Sequence, residues 1–375
     1  MEVLAFENTP TAFAGGQERS LFEVLQFVAG AGGRVSLCYQ QPGELLEAYG
    51  QFVREAFCIR SRQLARPWAP FLLDLARLAV KSFSARWDVL YANQYFDTPM
   101  VAALGLLARI PVVCHLRIEC PPYLSRQYRW GLMHCARLIA ISHDTKATYV
   151  AAGIPEEKIQ VIYNGIDVAA FSPRERASGA GVQQPLCVKF FGRVSPDKGV
   201  ETLIEACALL DAQGRQVQLH VIGNVRDASG KVAYLEDLKR LAGRFLDHGI
   251  FFKPHCADIR EELAGADLVV VPSIWREAFG RVLIEAMASG IPVVASHTGG
   301  IPEVLSPRFQ DHLVPRGDAA ALAAAIARLV NWRQEHPELG RQSREWVISR
   351  FSHLDRWREV FSVLQNTARS AGRNG

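Results

Sequence analysis

The order of the chain's secondary-structure patterns predicts an α/β fold with two parallel-sheet domains. Short apolar runs alternate with stretches of helical periodicity, as they do where crossover helices join parallel strands. At 375 residues the chain is longer than one ordinary core requires. Phe-Ser-Pro at 171–173 and a polar run to residue 184 interrupt both patterns. We therefore predict a first domain over 1–170 and a second from 171 onwards.

Each half contains six strand candidates with helical stretches between most of them. In the first half the candidates are 3–6, 34–39, 88–92, 111–115, 138–142 and 158–163. In the second half they are 187–191, 217–222, 250–252, 267–271, 293–295 and 312–313. Ligands of open parallel sheets bind at the carboxyl ends of the strands, so the residues that follow these runs are the candidates for a site.

Composition and charge exclude several classes of function. A net charge of +4 without a basic-aromatic reader motif argues against nucleic acid as a partner. The eight cysteines form no Cys-x-x-Cys pair, which argues against structural zinc, and several lie in apolar runs typical of buried thiols in a reducing compartment. We see no signal peptide or transmembrane span and expect a cytoplasmic protein.

The segment 277–295 places two carboxylates around a helix that leads into a buried strand. Helical spacing from Gly280 to residue 289 is followed by Gly-Ile-Pro-Val-Val. The N–H groups of Gly280, Arg281 and Val282 would lack intrahelical partners and could bind a diphosphate at the positive end of the helix dipole. Glu285 would lie roughly 7–8 Å further along the axis, within reach of ribose hydroxyls. The alternative is a solvated helix face with no ligand.

A second candidate is the turn Gly-Arg-Val-Ser-Pro-Asp-Lys-Gly at 192–199, which follows the strand 187–191. Gly192 permits close approach of the backbone to a ligand. Arg193 and Lys198 supply a guanidinium fork and a point charge for phosphate oxygens, as departure of a nucleoside diphosphate requires. The alternative is a surface turn with two solvated cations.

These two segments, with Gly-Gly-Ile-Pro-Glu at 299–303 and Val-Ile-Tyr-Asn-Gly-Ile-Asp at 161–167, resemble the C-terminal half of retaining family-4 glycosyltransferases of GT-B fold. Gly15-Gly16 and His115 fit the N-terminal pattern more loosely, and the resemblance covers nearly the whole chain. It implies two Rossmann-like domains whose parallel sheets face each other across a cleft, with the C-terminal helix crossing back to the N-terminal domain. Segment 354–375 then joins the acceptor-binding domain 1–170, and 171–353 binds the nucleotide-sugar donor.

The resemblance and the residue chemistry together give a set of expected site residues. The catalytic set is Arg193, Lys198, Glu277 and His115, and the set for the donor nucleotide and phosphates is Gly15, Gly16, Gly192, Phe279, Gly280, Arg281, Val282 and Glu285. Residue type alone nominates Glu277 as a nucleophile or base, whereas the resemblance implies that it positions donor-sugar hydroxyls. No Asp-x-Asp stands beside a strand, so we expect neither a metal nor a cofactor.

Several further positions have competing interpretations. Gly15-Gly16 could supply backbone donors or form an ordinary loop, and His115 could contact a sugar hydroxyl or be structural. Asn93 and Gln94 are candidates for acceptor contacts because they follow the strand 88–92. Gly223-Asn224 and Lys-Pro-His-Cys at 253–256 replace glycines common in the family, so the nucleotide base stays open.

The stretch 54–88 combines cations with large apolar residues. It contains Arg54, Arg60, Arg62, Arg66, Arg77, Lys81 and Arg86 against Glu55, Asp74 and Asp88, so seven cations less three anions leave +4. One interpretation is peripheral contact with anionic lipid at the inner face of a membrane, which would suit a lipid-linked acceptor. The other is an amphipathic helix packed on the sheet with its arginines in water.

The functional hypothesis is a retaining hexosyltransferase in glycan or polysaccharide biosynthesis. It would move a sugar from a nucleoside-diphosphate sugar to a glycan, lipid-linked or small-molecule acceptor without a metal. Two alternatives use the same scaffold. One is another enzyme, a nucleotide-sugar epimerase or a phosphorylase, and the other is a non-catalytic protein that binds sugar nucleotides.

Overall fold

The computed structural model describes residues 1–11, 16–174, 185–224, 233–256 and 258–372. The chain divides into two compact units, Met1–Gly165 with Leu354–Gly375, and Ile166–His353. Each unit is built on a parallel sheet with helical connections between its strands. The predicted fold class, two Rossmann-like α/β domains, is confirmed.

The first unit has, within the described residues, a seven-stranded sheet in the order β3-β2-β1-β4-β5-β6-β7. Its strands are β1 (Glu2–Glu7), β2 (Arg34–Tyr39), β3 (Val53–Cys58), β4 (Val89–Ala92), β5 (Val112–Leu116), β6 (Arg137–Ala140) and β7 (Ile159–Val161). Its helices are α1 (Gly16–Gly30), α2 (Leu45–Tyr49), α3 (Ala69–Ala85), α4 (Thr98–Ala108), α5 (Arg126–His134) and α6 (His143–Ala151).

Alternate residues of each strand point to opposite faces of the first sheet, and helices cover both faces. Leu4 and Phe6 of β1 join the core cluster that contains residues of α3 and α4. Val3 and Ala5 of the same strand join the cluster that contains α1 and the C-terminal helix. Near-continuous apolar strands are what a parallel sheet covered on both sides requires.

In the part of the second unit that the structure describes, six parallel strands form a sheet in the order β10-β9-β8-β11-β12-β13. Its strands are β8 (Leu186–Phe191), β9 (Val217–Ile222), β10 (Ile250–Lys253), β11 (Leu268–Val271), β12 (Val293–Ser296) and β13 (Leu313–Val314). Its helices are α7 (Val200–Ala212), α8 (Ala233–Ala242), α9 (Arg260–Ala264), α10 (Arg281–Ala288), α11 (Ile301–Leu305), α12 (Ala319–Ala327), α13 (Trp332–Glu335) and α14 (Leu339–Phe351).

The last helix, α15 (His353–Gly372), belongs to the first unit from Leu354 onwards. Val360, Val363 and Leu364 are buried in the core cluster on the α1 side of the first sheet. The ring of Phe27 lies 5.8 Å from that of Trp357 and packs beside Phe361. Because these apolar residues recur at helical spacing, they lie on one face of α15, and this face anchors the C-terminal segment to the first unit.

The predicted strands all form, with ends that differ by no more than two residues. One strand among the described residues was not predicted: β3 overlaps the start of the basic stretch 54–88 and lies at the edge of the sheet beside β2. Along β3 the exposed residues alternate with half-buried ones, so no apolar run marks it. An edge strand needs only one partly covered face, which explains the weak signal.

Candidate functional site

The turn that carries the two predicted cations connects β8 to α7. Gly199 adopts φ 69° and directly precedes α7, and a Cβ at this position would lie 2.1 Å from the carbonyl oxygen of Pro272. The N–H groups of Ile274 and Trp275 both donate to the carbonyl oxygen of Asp197, at 3.0 and 3.2 Å. The turn after β8 is thus fastened by backbone contacts to the loop after β11, because only glycine fits the approach.

Lys198 and Glu277 meet at this junction. Lys198 Nζ lies 2.5 Å from Glu277 Oε2, and the hydroxyl of Ser273 donates to the same oxygen at 3.2 Å. The two charged side chains are 22% and 23% exposed, so both remain accessible. The structure therefore brings together two predicted site residues from different sequence segments, in a pair that an incoming anion or hydroxyl could rearrange.

Arg193 is the more exposed of the two predicted cations. Its NH2 group lies 3.2 Å from Asp197 Oδ2, and its Nε donates to the Ser195 hydroxyl at 3.3 Å. Burial opposes ionisation of Asp197, but the Ser195 hydroxyl, Arg193 and Lys198 outweigh it and lower the pKa of this carboxyl. Asp197 was not predicted as a site residue. Its position between the two cations in the sequence was the available signal.

The backbone of Glu277 is fixed by the loop at 299–300. The N–H of Gly300 donates to the Glu277 carbonyl oxygen at 2.8 Å. Gly299 adopts φ 58°, and a Cβ there would lie 2.1 Å from that oxygen. These two glycines thus hold the backbone of Glu277 in place. Close backbone packing therefore explains why glycine occupies positions 299 and 300 of the segment 299–303.

Five of the predicted donor residues lie in α10 or directly before it. Gly280 has φ 82° and precedes the first helical residue, Arg281. Arg281 Nε donates to Glu285 Oε1 at 3.0 Å, and both side chains are almost buried. Val282 is partly buried beside them. Phe279 packs edge-on against Phe351 with ring centroids 5.6 Å apart, so its side chain belongs to the core and only its backbone is placed for a ligand.

In the first unit, His115 lies at the carboxyl end of β5 and is 3% exposed. Its Nδ1 is 2.6 Å from the hydroxyl of Tyr91, and Nε2 has no hydrogen-bond partner among the described residues. Burial, and then the charge of Arg117, lowers the pKa of His115 well below its usual value. The ring is therefore neutral, and with Tyr91 donating to Nδ1 its Nε2–H is available as a donor.

The other predicted residues of the first unit lie at the same edge of the sheet. Asn93 accepts a hydrogen bond from Arg117 Nε at 2.6 Å, and Gln94 donates to Gln17. Gly16 begins α1. In the second unit, the N–H of Gly192 donates to the carbonyl oxygen of Ile222 at 3.1 Å. The remaining predicted residue of the first unit, Gly15, lies outside the described residues.

Two buried glutamates near this edge were missed by sequence reasoning. Glu7 ends β1 and accepts from the Tyr49 hydroxyl at 3.2 Å, and Glu18 in α1 accepts from Gln17 at 2.6 Å. In each carboxylate the other oxygen has no hydrogen-bond partner among the described residues. Burial, and then Glu18, raises the pKa of Glu7 well above its usual value, and burial raises that of Glu18. The only signal in the sequence was the position of Glu7 directly after an apolar strand.

The geometry of the second unit suits recognition of an anion beside a polyhydroxyl group. Cations, a carboxylate and a helix N-terminus lie at the carboxyl ends of β8 and β11. The described residues contain no group of three or more His, Cys, Asp or Glu side chains placed to hold a metal ion. Among the described helices, none combines the length and apolar character needed to cross a membrane.

Comparison with known proteins identifies the family. Residues 171–346 match the model described as Glycosyl transferases group 1, and residues 14–170 match Glycosyltransferase Family 4. The phosphatidyl-myo-inositol mannosyltransferase of Mycobacterium leprae is 36% identical over 280 residues, which cover 70% of this chain and 71% of that protein. The chain belongs to glycosyltransferase family 4. The predicted family is thereby confirmed.

Further relatives agree with this assignment. The amylovoran biosynthesis glycosyltransferase AmsK of Erwinia amylovora is 32% identical to this family-4 chain over 241 residues, 62% of this chain and 56% of AmsK. The chain spans little more than half the length of the first curated relatives it matches. Among solved structures, Anabaena HepE in complex with UDP superposes with a TM-score of 0.82 at 24% identity, over 98% of this chain and all of HepE. That likeness supports the fold.

Proposed function

We propose that this family-4 protein is a retaining glycosyltransferase that moves a hexosyl group from a nucleoside-diphosphate sugar to a glycan, lipid-linked or small-molecule acceptor. The observation that carries the proposal is the contact between Lys198 and Glu277 at the carboxyl edge of the second sheet. A cation there can neutralise a departing diphosphate, while the neighbouring carboxylate can accept hydrogen bonds from sugar hydroxyls. The relatives described above include a biosynthetic glycosyltransferase and a mannosyltransferase, which supports the same class of reaction.

The donor would bind in the second unit. Its diphosphate would meet Arg193, Lys198 and the N–H groups at the start of α10, with Gly192 allowing close approach. Arg281 engages one oxygen of Glu285 and holds the carboxylate in place to accept from ribose hydroxyls. Solved structures of HepE contain UDP and UDP-glucose, which supports a nucleotide sugar as the donor here.

Catalysis in this proposal rests on charge compensation. As the bond between the sugar and the diphosphate breaks, negative charge accumulates on the phosphate oxygens, and preorganised cations stabilise that state more than the ground state. Glu277 would hold the donor sugar by its hydroxyls, with its backbone fixed by Gly299 and Gly300. We propose that the acceptor hydroxyl attacks the anomeric carbon from the face that the diphosphate leaves and gives its proton to a departing phosphate oxygen. We further propose that the reaction uses neither metal nor cofactor.

The first unit would receive the acceptor. His115 is neutral and can donate to a sugar hydroxyl through Nε2, and Asn93 and Gln94 lie at the carboxyl end of the neighbouring strand. We propose a cytoplasmic enzyme, with peripheral contact of residues 54–88 with the inner face of the membrane where the acceptor is lipid-linked.

The proposal is tested with a panel of UDP-, GDP- and ADP-sugars, scored first for thermal stabilisation of the full chain and then for hydrolysis and transfer. We expect one nucleotide to stabilise the protein and its sugar to appear on an acceptor with unchanged anomeric configuration, in the presence of EDTA. An inverted product would contradict retention. Loss of activity in EDTA that magnesium restores would contradict the metal-independent route.

Nucleotide binding without transfer or hydrolysis of any sugar would contradict the enzymatic proposal itself.

A further inference from the structure

Helix α3 of the first unit has two apolar faces. Phe71, Leu75 and Leu78 point inward and belong to the core. On the opposite side, the outward side chains are Leu72 (53% exposed), Leu73 (56%), Val80 (71%) and Phe83 (81%). A surface helix that only packs on a sheet needs one apolar stripe and has polar residues on the other face. The second face of α3 therefore requires an explanation other than packing within the unit.

The neighbouring helix α4 extends this surface. Its last turn exposes Leu106 and Leu107, at 55% and 62%. Helix α3 leads into β4 and α4 leads into β5, and these strands are parallel neighbours, so the C-terminal turns of both helices lie at the same edge of the sheet. We call this surface the apolar helix face, and it comprises Leu72, Leu73, Val80, Phe83, Leu106 and Leu107. Helices α3 and α4 pack against each other, and exposed apolar surface on such neighbouring helices is typical of an interaction site.

On α3 and α4 themselves, the charged residues with exposed or partly exposed side chains are all basic, and Lys81 of α3 pairs with Glu55 of β3. Helix α3 has a single acidic residue, Asp74, which is 2% exposed and accepts from the backbone N–H of Arg60, and α4 has none. Four exposed arginines lie on α3 or next to the ends of the two helices, and within the described residues none of the four forms an ion pair: Arg66, Arg77, Arg86 and Arg109. An apolar surface with unpaired cations and no exposed carboxylate on its helices complements an anionic lipid headgroup layer.

We infer that the apolar helix face lies in an anionic bilayer surface, with α3 parallel to the membrane plane. Leu72, Leu73, Val80 and Phe83 would enter the acyl boundary, and the arginines would contact lipid phosphates. The inference rests on the proposed function in one respect, since it gives the enzyme access to a membrane-anchored acceptor. Under this inference the two sequence interpretations of 54–88 are compatible. The stripe that packs on the sheet and the exposed stripe are different sets of residues.

The test is co-sedimentation of the full chain with vesicles of phosphatidylcholine alone and of phosphatidylcholine mixed with phosphatidylglycerol. We expect binding to the mixed vesicles that decreases with added salt. The double variant Val80→Gln and Phe83→Gln should bind at least roughly tenfold more weakly, because two side chains no longer leave water. Arg77→Gln should weaken binding about fivefold and reduce its salt dependence. Both variants alter exposed side chains, and their folding is checked by thermal unfolding.

A matched control is available in the second unit. Leu209 and Leu241 are exposed leucines on helices, at 41% and 44%, and Leu209→Gln with Leu241→Gln should leave vesicle binding unchanged. Trp68, 53% exposed beside α3, provides a second measurement. Brominated acyl chains should quench part of the tryptophan fluorescence, and Trp68→Phe should remove that part.

Three outcomes would overturn the inference. They are the absence of binding to the mixed vesicles, equal binding by the Val80/Phe83 variant, and a vesicle-free dimer in sedimentation velocity that Phe83→Gln dissociates. The dimer would show that a second copy of the chain covers this face. Release of the nucleoside diphosphate from donor in vesicle-free solution reports on the proposed function separately. Activity without vesicle binding rejects only the membrane inference, whereas vesicle binding without transfer or hydrolysis rejects only the proposed reaction.

Discussion

The two units share one scheme of parallel strands and crossover helices, but they differ in the state of the charged groups at the strand ends. In the second unit Lys198 and Glu277 form a partly exposed ion pair, and the pKa of Asp197 is lowered. In the first unit the corresponding edge is buried, and the pKa values of Glu7 and Glu18 are raised. The second edge favours ionised groups, whereas the first favours neutral ones.

This difference suggests a division of work between the units. A diphosphate is best bound by ionised partners that are accessible before it arrives. A polyol is recognised by neutral donors and acceptors, such as the His115 ring, because its hydroxyls carry no charge. The same fold can therefore bind different chemical classes by changing burial at the ends of its strands.

The largest effect should come from removing the Lys198 cation at the carboxyl edge of the sheet in the second unit. We expect Lys198→Ala to lower kcat by about 10²–10³-fold, the usual loss when a group that stabilises developing charge is removed. Lys239→Ala, at another ion-paired lysine of the same unit, is the control and should leave kcat unchanged. The measurement is steady-state kinetics with the donor found by the nucleotide panel. An increase in KM alone would assign Lys198 to ground-state binding.

The next effect concerns the backbone that holds Glu277. Gly299→Ala should lower the free energy of unfolding of the second unit by about 2–3 kcal/mol, because the residue has positive φ and its new Cβ would meet the Glu277 backbone. Gly214 also has positive φ, at 73°, but has open space around it. Gly214→Ala should therefore cost only about 1–2 kcal/mol. Urea unfolding compares the two, and equal losses would show that the contact with Glu277 contributes nothing.

A third prediction concerns the buried pair at the start of α10. We expect Glu285→Gln to weaken nucleoside-diphosphate binding roughly tenfold, since a hydrogen bond to a charged group contributes about 1.5–3 kcal/mol. Glu345 forms the same i,i+4 pair with Arg341 on an exposed helix face and supplies the control, Glu345→Gln. Isothermal titration calorimetry measures both affinities. Equal affinity of the Glu285 variant and the wild type would remove this residue from the nucleotide site.

The smallest effect tests the neutral edge of the first unit. Because the pKa of Glu7 is raised on folding, the folded state binds its proton more tightly than the unfolded state. This proton adds to the free energy of unfolding. The contribution is fully present below the pKa of Glu7 in the unfolded chain, and it is lost as the pH rises through the pKa of Glu7 in the folded protein. Glu7→Gln should remove this loss and stabilise the first unit by about 1 kcal/mol at neutral pH.

Hydrogen exchange of β1 peptides across pH 4 to 9 measures the change locally, with the exposed Glu47→Gln as control. A Glu7 variant that is less stable than the wild type at neutral pH would show that the ionised carboxylate is stabilising in the folded protein.

Much of the fold could be predicted because buried parallel strands leave strong apolar signals, as in 217–222 and 293–295. Edge strand β3 could not, since its exposed side carries polar residues. The turn at 192–199 and the helix start at Gly280 were visible because glycine and charge spacing mark strand-to-helix turns. Which side chains meet was not visible: the pairing of Lys198 with Glu277 depends on the strand order, in which β8 and β11 are neighbours. The burial of Glu7 and Glu18 likewise arises from tertiary packing.

The main-chain hydrogen bonds from Ile274 and Trp275 to Asp197, and from Gly300 to Glu277, join three loops without using a side chain. Most exchanges of side chains in these loops leave those bonds in place, so the chemical lining can be redesigned while the framework persists. Transplanting a single loop from another enzyme would break them. A chimera made to accept a different donor should therefore exchange all three loops as one cassette.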